Sequence, residues 1–405
     1  MAGILSGCTS SSPTASSVNA ASPGITTSSV PALQSAPGAS ASGGGTAGKA
    51  GGGTTAATSC PDRVFSRLTQ AQRVGQLFLV GMNGDNAGPA TAAAEKHYHF
   101  GSVLFASNTS EGVKAAAATT SYVQSLATPA ATGGVRFFVA ANQEGGQVQN
   151  LTGAGFDTMP SALTQGSWSD SYLRQQALTW GQELKSAGVN FDLAPVMDVV
   201  PASTASSNAP IGQLDREFGH SPAVSGPHGA AFIQGMTTAG VATAGKHFPG
   251  LGEVAGNTDF TANVVDSVTS ASDPDLATYR SAVGADVPFM MVALATYRKI
   301  DPSELAIFSP AVMKLLRGSV GFGGVIISDD LGDAAAVASM PPGQRAVSFL
   351  DAGGDMITSQ SFGPAEAMAP AILSKASSDP AFAAKVNTAV KLILAAKQRF
   401  GLLSC

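Results

Sequence analysis

The sequence predicts a single (β/α)8 (TIM) barrel over residues 60–405. Three observations carry that expectation: eight short apolar runs recur, longer amphipathic stretches separate them, and polar residues gather where the runs end. Continuous rather than alternating apolar character marks strands buried on both faces, as in a parallel sheet. Parallel strands in turn need helical crossovers between them.

The runs are "GQLFLVGM" (75–82), "GSVLFA" (101–106), "RFFVAAN" (136–142), "VNFDLAP" (189–195), "VATAGKH" (241–247), "PFMMVAL" (288–294), "GGVIISDD" (323–330) and "DMITSQ" (355–360). Helices are predicted over 171–188 and 222–240, and a last one over 380–400 ends at Gly401. A doubly wound open sheet uses the same elements. The first run is not followed by GxGxxG, however, and the "GGG" at 51–53 lies in a linker, so the dinucleotide fingerprint is absent. Neither an internal repeat nor a second domain is visible.

Hydrophobic residues make up 44% of the 405 positions and charged residues 12%, a composition suited to a buried core with a neutral polar surface. The net charge of −5 offers no electrostatic footprint for nucleic acid. The three cysteines, Cys8, Cys60 and Cys405, lack metal-site spacing, and no metal or cofactor is expected. "LSGC" resembles the lipobox of bacterial lipoproteins, which makes Cys8 the lipidation candidate. Residues 9–59 are nearly all Ser, Thr, Ala, Gly and Pro, the composition of a flexible tether. Only seven residues precede Cys8, without a charged n-region or a full apolar h-region, so either the leader is truncated or the cysteine is incidental. A lipid-anchored or secreted, extracytoplasmic chain follows from the first reading. In that compartment Cys60 and Cys405 are candidates for a disulfide joining the two ends of the folded region, the alternative being two free thiols.

In such barrels the chemistry sits where strands end. Asn142, Gln143 and Glu144 follow the third run, Lys246 and His247 end the fifth, and Asp329 and Asp330 end the seventh. Adjacent strand residues face opposite ways, so only one of the two aspartates looks up the barrel axis. Glycoside hydrolysis needs two groups: a carboxylate at the anomeric carbon and an acid at the leaving oxygen.

"NQEGGQVQ" (142–149), "DREFG" (215–219), "KHFPG" (246–250) and "SDDL" (328–331), in that order, resemble glycoside hydrolase family 3, and in particular its single-domain β-N-acetylglucosaminidases. "APVMDV" (194–199) and "SPAVMKLLRG" (309–318) also fall in place, so the resemblance spans roughly residues 70–400. It implies Asp329 as nucleophile and Arg216, Lys246, His247, Asn142, Asn150 and Glu144 as substrate-binding residues. Several positions depart from the family. An aspartate and an arginine are replaced by Asn142 and Asn150, and two histidines by Leu251 and Leu294. The Asp-Ser-His loop, whose histidine is the family's acid/base, reads Asn257, Thr258 and Asp259.

Three readings stay open. Asp259 is the acid/base; Glu253 or another loop carboxylate serves instead; or the barrel binds sugar and cleaves it very slowly. The implied activity is that of a retaining exo-β-glycosidase, a β-N-acetylglucosaminidase (β-N-acetylhexosaminidase). Its expected substrates are peptidoglycan fragments or related glycosides, and it is expected to act as a monomer. A family 3 enzyme for another sugar and a non-catalytic cell-wall sugar-binding lipoprotein are the alternatives. A carboxylate acid/base is also expected to repel phosphate and to favour water as the acceptor.

Overall fold

The structure, a computed structural model, describes residues 59–82 and 96–405. Cys8 and nearly all of the 9–59 tether lie outside these residues. Eight strands close a barrel: β1 (Phe78–Met82), β2 (Ser102–Phe105), β3 (Phe138–Ala141), β4 (Phe191–Asp192), β5 (Ala242–Phe248), β6 (Phe289–Val292), β7 (Val325–Asp330) and β8 (Met356–Ser359). Each pairs in parallel with the next, and β8 returns to β1, where Val80 lies opposite both Ser359 and Val103. The (β/α)8 architecture is therefore present, and the doubly wound sheet is not.

Every strand falls inside its predicted run except β5, which reaches one residue further to Phe248, and most strands are shorter than their runs. The chain reaches β1 only at Phe78, because Gln70–Gln76 is helical and is fixed by a capping box. Thr69 Oγ1 accepts from the Gln72 N–H (3.2 Å) while Gln72 Oε1 accepts from the Thr69 N–H (3.0 Å). β4 shrinks to two residues. Pro195 has no N–H for the ladder, and pairing resumes beyond it as an isolated bridge between Val196 and Lys246. The helices Asp170–Ser186 and Pro222–Ala239 match expectation and are terminated by Gly188 and Gly240 at φ +75° and +81°.

Phe138, Phe191 and Phe289 fill the barrel interior, with ring centroids 4.3 Å apart for Phe191–Phe289 and 5.3 Å for Phe138–Phe289. At the end where the strands begin, the final helix (Pro380–Arg399) inserts Lys397. Its buried ammonium donates to Gln76 Oε1 and to the Gly101 carbonyl, both at 2.7 Å. A buried charge needs such partners. Cys60 and Cys405 are disulfide-bonded, with Cα atoms 5.9 Å apart, and tie the first helix to the C-terminus.

The opposite end carries two small sheets that the sequence reading did not anticipate. Gln143–Gly145 pairs antiparallel with Val148–Gln149 just after β3. Val265–Ser270 pairs in parallel with Thr296–Lys299, beyond β5 and β6.

Candidate active site

Where the strands end, a cavity of about 250 Å³ opens. Asp329 reaches it from β7, Lys246 and His247 from β5, Asn142 from the turn after β3, Arg216 from the loop after β4, and Asp259 from the loop after β5. The topology thus gathers residues separated by nearly two hundred positions.

Glu144 and Asn150, expected to bind substrate, do not line this cavity. Glu144 is buried beneath the wall. It accepts from Arg216 Nε and Nη2 (2.8 Å each) and from Lys246 Nζ (2.6 Å). Burial opposes its ionisation, but the guanidinium and ammonium outweigh it and hold the carboxyl at a pKa of about 2. Glu144 is therefore a positioning group that aims two cations into the cavity. Asn142 Oδ1 accepts from Lys246 Nζ (2.9 Å), and the Asn142 N–H donates to Asn150 Oδ1 (2.8 Å). Asn150 in turn donates to Asn108 (2.8 Å), so it props Asn142 from behind. Below Lys246, the fully buried Asp192 accepts the Gln143 N–H (3.0 Å), and burial raises its pKa well above the carboxylate range.

His247 is held by a residue that sequence reasoning did not single out. Asp198, fully buried, accepts His247 Nδ1–H (2.7 Å), the His247 and Leu251 backbone N–H groups (3.1 and 3.0 Å) and the Tyr279 hydroxyl (3.0 Å). Burial works against its charge, yet His247 and the Leu251 and His247 backbone N–H groups keep its pKa below the usual value. With Nδ1–H committed to Asp198, Nε2 is the nitrogen left for substrate. The available signal was a charged residue inside the apolar run "APVMDVV", where it must find a partner.

The two aspartates ending β7 both border the cavity but are held differently. Asp330 is buried, and its carboxylate accepts the N–H groups of Gly332 (2.9 Å), Asp333 (3.0 Å) and Gln360 (3.0 Å). It shapes the loop. Asp329 is partly exposed and turned to the cavity, and its Oδ1 accepts the Asp330 N–H (2.8 Å).

The loop after β5 is tightly fixed. Asn208 Nδ2 donates to the carbonyls of Leu251 (2.7 Å), Gly252 (3.1 Å) and Val254 (2.7 Å), and Tyr297 donates to the Gly250 carbonyl (2.6 Å). Further on, the Ala335 and Ala336 N–H groups donate to the Asp259 and Thr258 carbonyls (3.0 and 3.1 Å), stapling this loop to the one that follows Asp329. Asp259 stands at the cavity mouth with its side chain open to solvent. Protein atoms still displace water around its carboxyl, and the charge of Asp329 adds repulsion that His247 and Arg216 only partly offset. Its pKa is pushed up to about 6. Glu253, the alternative acid, lines a separate small crevice with Asp275 and Tyr279 and does not reach the cavity that holds Asp329. Leu251 and Leu294 are buried apolar residues of the core.

Residues 69–393 match the model of the glycosyl hydrolase family 3 N-terminal domain. The chain is 30% identical to a β-hexosaminidase of Alkalilimnicola ehrlichii over 69% of this chain and 79% of the relative. It is 31% identical to the β-hexosaminidase LpqI of Mycobacterium tuberculosis over 73% of this chain and 74% of the relative. Among solved structures, the β-N-acetylhexosaminidase of Beutenbergia cavernae superposes with a TM-score of 0.80 at 44% identity, covering 82% of this chain and 99% of that one. A family 3 β-N-acetylglucosaminidase of Paenibacillus superposes with a TM-score of 0.73 at 26% identity, covering 83% of this chain and 63% of that one.

Proposed function

The chain belongs to glycosyl hydrolase family 3, and from that premise we propose that it is a retaining exo-β-N-acetylhexosaminidase that removes terminal N-acetylglucosamine. One observation carries the mechanism: Asp329 and Asp259 face the same cavity, and the charge of Asp329 disfavours ionisation of Asp259. Asp329 attacks the anomeric carbon as a carboxylate, while protonated Asp259 gives its proton to the glycosidic oxygen, and the leaving alcohol departs. A water molecule then enters. The Asp259 carboxylate takes its proton, the oxygen attacks the anomeric carbon, and the bond from that carbon to Asp329 breaks, regenerating the Asp329 carboxylate and freeing the sugar. In this reading Arg216, Lys246 and His247 Nε2 hold sugar hydroxyls, and the lining of the cavity by all three residues supports it. The names of the two relatives and the two solved structures support the choice of hexosamine.

A panel of aryl β-glycosides tests this reading. Release from the N-acetylglucosaminide, abolished by Asp329→Ala and slowed by Asp259→Ala, supports it. Release from another sugar alone moves the specificity, and saturable binding of fragments without any release makes the chain a sugar-binding protein.

The finer setting is also a proposal. A lipidated Cys8 and the tether after it suit a monomer displayed outside the cytoplasmic membrane and acting on muropeptide-like fragments. Replacing Cys8 in the natural product and fractionating the cells tests the anchor: the variant is expected in the soluble fraction, and retention in membranes contradicts it.

A further inference from the structure

We infer that Phe260 is the platform on which the leaving-group sugar stacks, which makes it a specificity residue for what lies beyond the bond being cut. This rests on the catalytic reading above, because the acid fixes where the leaving group goes. The proton of Asp259 travels to the glycosidic oxygen, so the departing residue lies on the Asp259 side of the cavity. Phe260 is the next residue in the chain and lines the same cavity.

Its exposure is out of character for the molecule. At 84% it is the most exposed large hydrophobic side chain among the described residues, whereas most of the aromatic residues are buried in the core. A phenyl ring held in water loses the burial that normally stabilises it. Its backbone is nevertheless held firmly. The Phe260 N–H donates to the Asn257 carbonyl (3.1 Å), the Asp259 N–H donates to Asn257 Oδ1 (2.9 Å), and the Asp259 carbonyl is stapled to Ala335. The ring is thus presented from a rigid turn at the rim of the site. A β-linked pyranose carries its polar groups equatorially and offers a face of axial C–H bonds. An aromatic face, negative at its centre, attracts such hydrogens and excludes water from them. Polar and apolar side chains together line the cavity, and Phe260 adds an exposed aromatic ring to that lining.

The test compares two donors with the same N-acetylglucosaminyl group: the β-1,4-linked disaccharide of N-acetylglucosamine, whose leaving group is a sugar, and the β-glycosyl fluoride, whose leaving group is too small to reach Phe260. The ratio of kcat/KM for the disaccharide to that for the fluoride is expected to fall about five- to tenfold in Phe260→Ala, chiefly through KM, and to recover in Phe260→Trp. An unchanged ratio in Phe260→Ala overturns the platform while leaving the catalytic reading intact. If the parent enzyme turns over neither donor, both readings fall.

Discussion

Arg216 and Glu144 form a bidentate pair, Nε to Oε2 and Nη2 to Oε1, each at 2.8 Å, and Lys246 joins the same carboxylate at 2.6 Å. The pair is buried, so each charge depends on the other. Glu144→Gln is expected to lower the unfolding free energy by about 3 kcal/mol at neutral pH, a figure that follows from a shift of its pKa from 4.5 to about 2. Because the folded-state pKa is depressed, this contribution is full above the ordinary value of 4.5 and disappears as pH falls through about 2. Urea unfolding of parent and variant at pH 7 and near pH 2 should therefore show a gap that closes in acid.

On the proposed acid role of Asp259, that residue sets the alkaline side of the pH–rate profile. Its pKa is raised to about 6, so the protonated form needed for catalysis is lost as pH climbs past that value. kcat/KM for a substrate with a poor leaving group is expected to decline above about pH 6. The decline should weaken for aryl leaving groups that need little protonation. A limb that survives Asp259→Asn unchanged would assign it to another group.

A carboxylate at this position repels an incoming phosphate dianion. Turnover is therefore expected to show no stimulation when phosphate is added at constant ionic strength, and product analysis should find free sugar rather than sugar phosphate.

The disulfide between Cys60 and Cys405 closes nearly the whole barrel into one loop. In the chain-entropy account a closure of this length stabilises by about 6 kcal/mol. The double substitution Cys60→Ser, Cys405→Ser is expected to lower Tm while leaving activity near room temperature close to that of the parent, since neither residue approaches the cavity.

The strands were legible because their runs are largely apolar, and the site residues were legible because polar groups stand at or next to the ends of β3, β5 and β7. Glu144 was found but given the wrong place, since a motif does not say whether a carboxylate faces the substrate or the cations that do. Asp198 and Asn208 were missed for a related reason. Both act by accepting from or donating to backbone groups of a loop, 53 positions away for Asp198 and 43 for Asn208, a relationship set by tertiary packing rather than by spacing. The rigidity of the loop that carries Asp259 has the same origin, in the Ala335 and Ala336 amides.

Trapping shows whether Asp329 attacks the sugar. The enzyme would be inactivated with a fluorinated N-acetylglucosaminyl donor that forms the glycosyl-enzyme and hydrolyses slowly, then digested and sequenced by mass spectrometry. The account predicts one sugar on the peptide containing "SDDL", attached at Asp329. A label at another residue, or release of fluoride with no adduct, would contradict it.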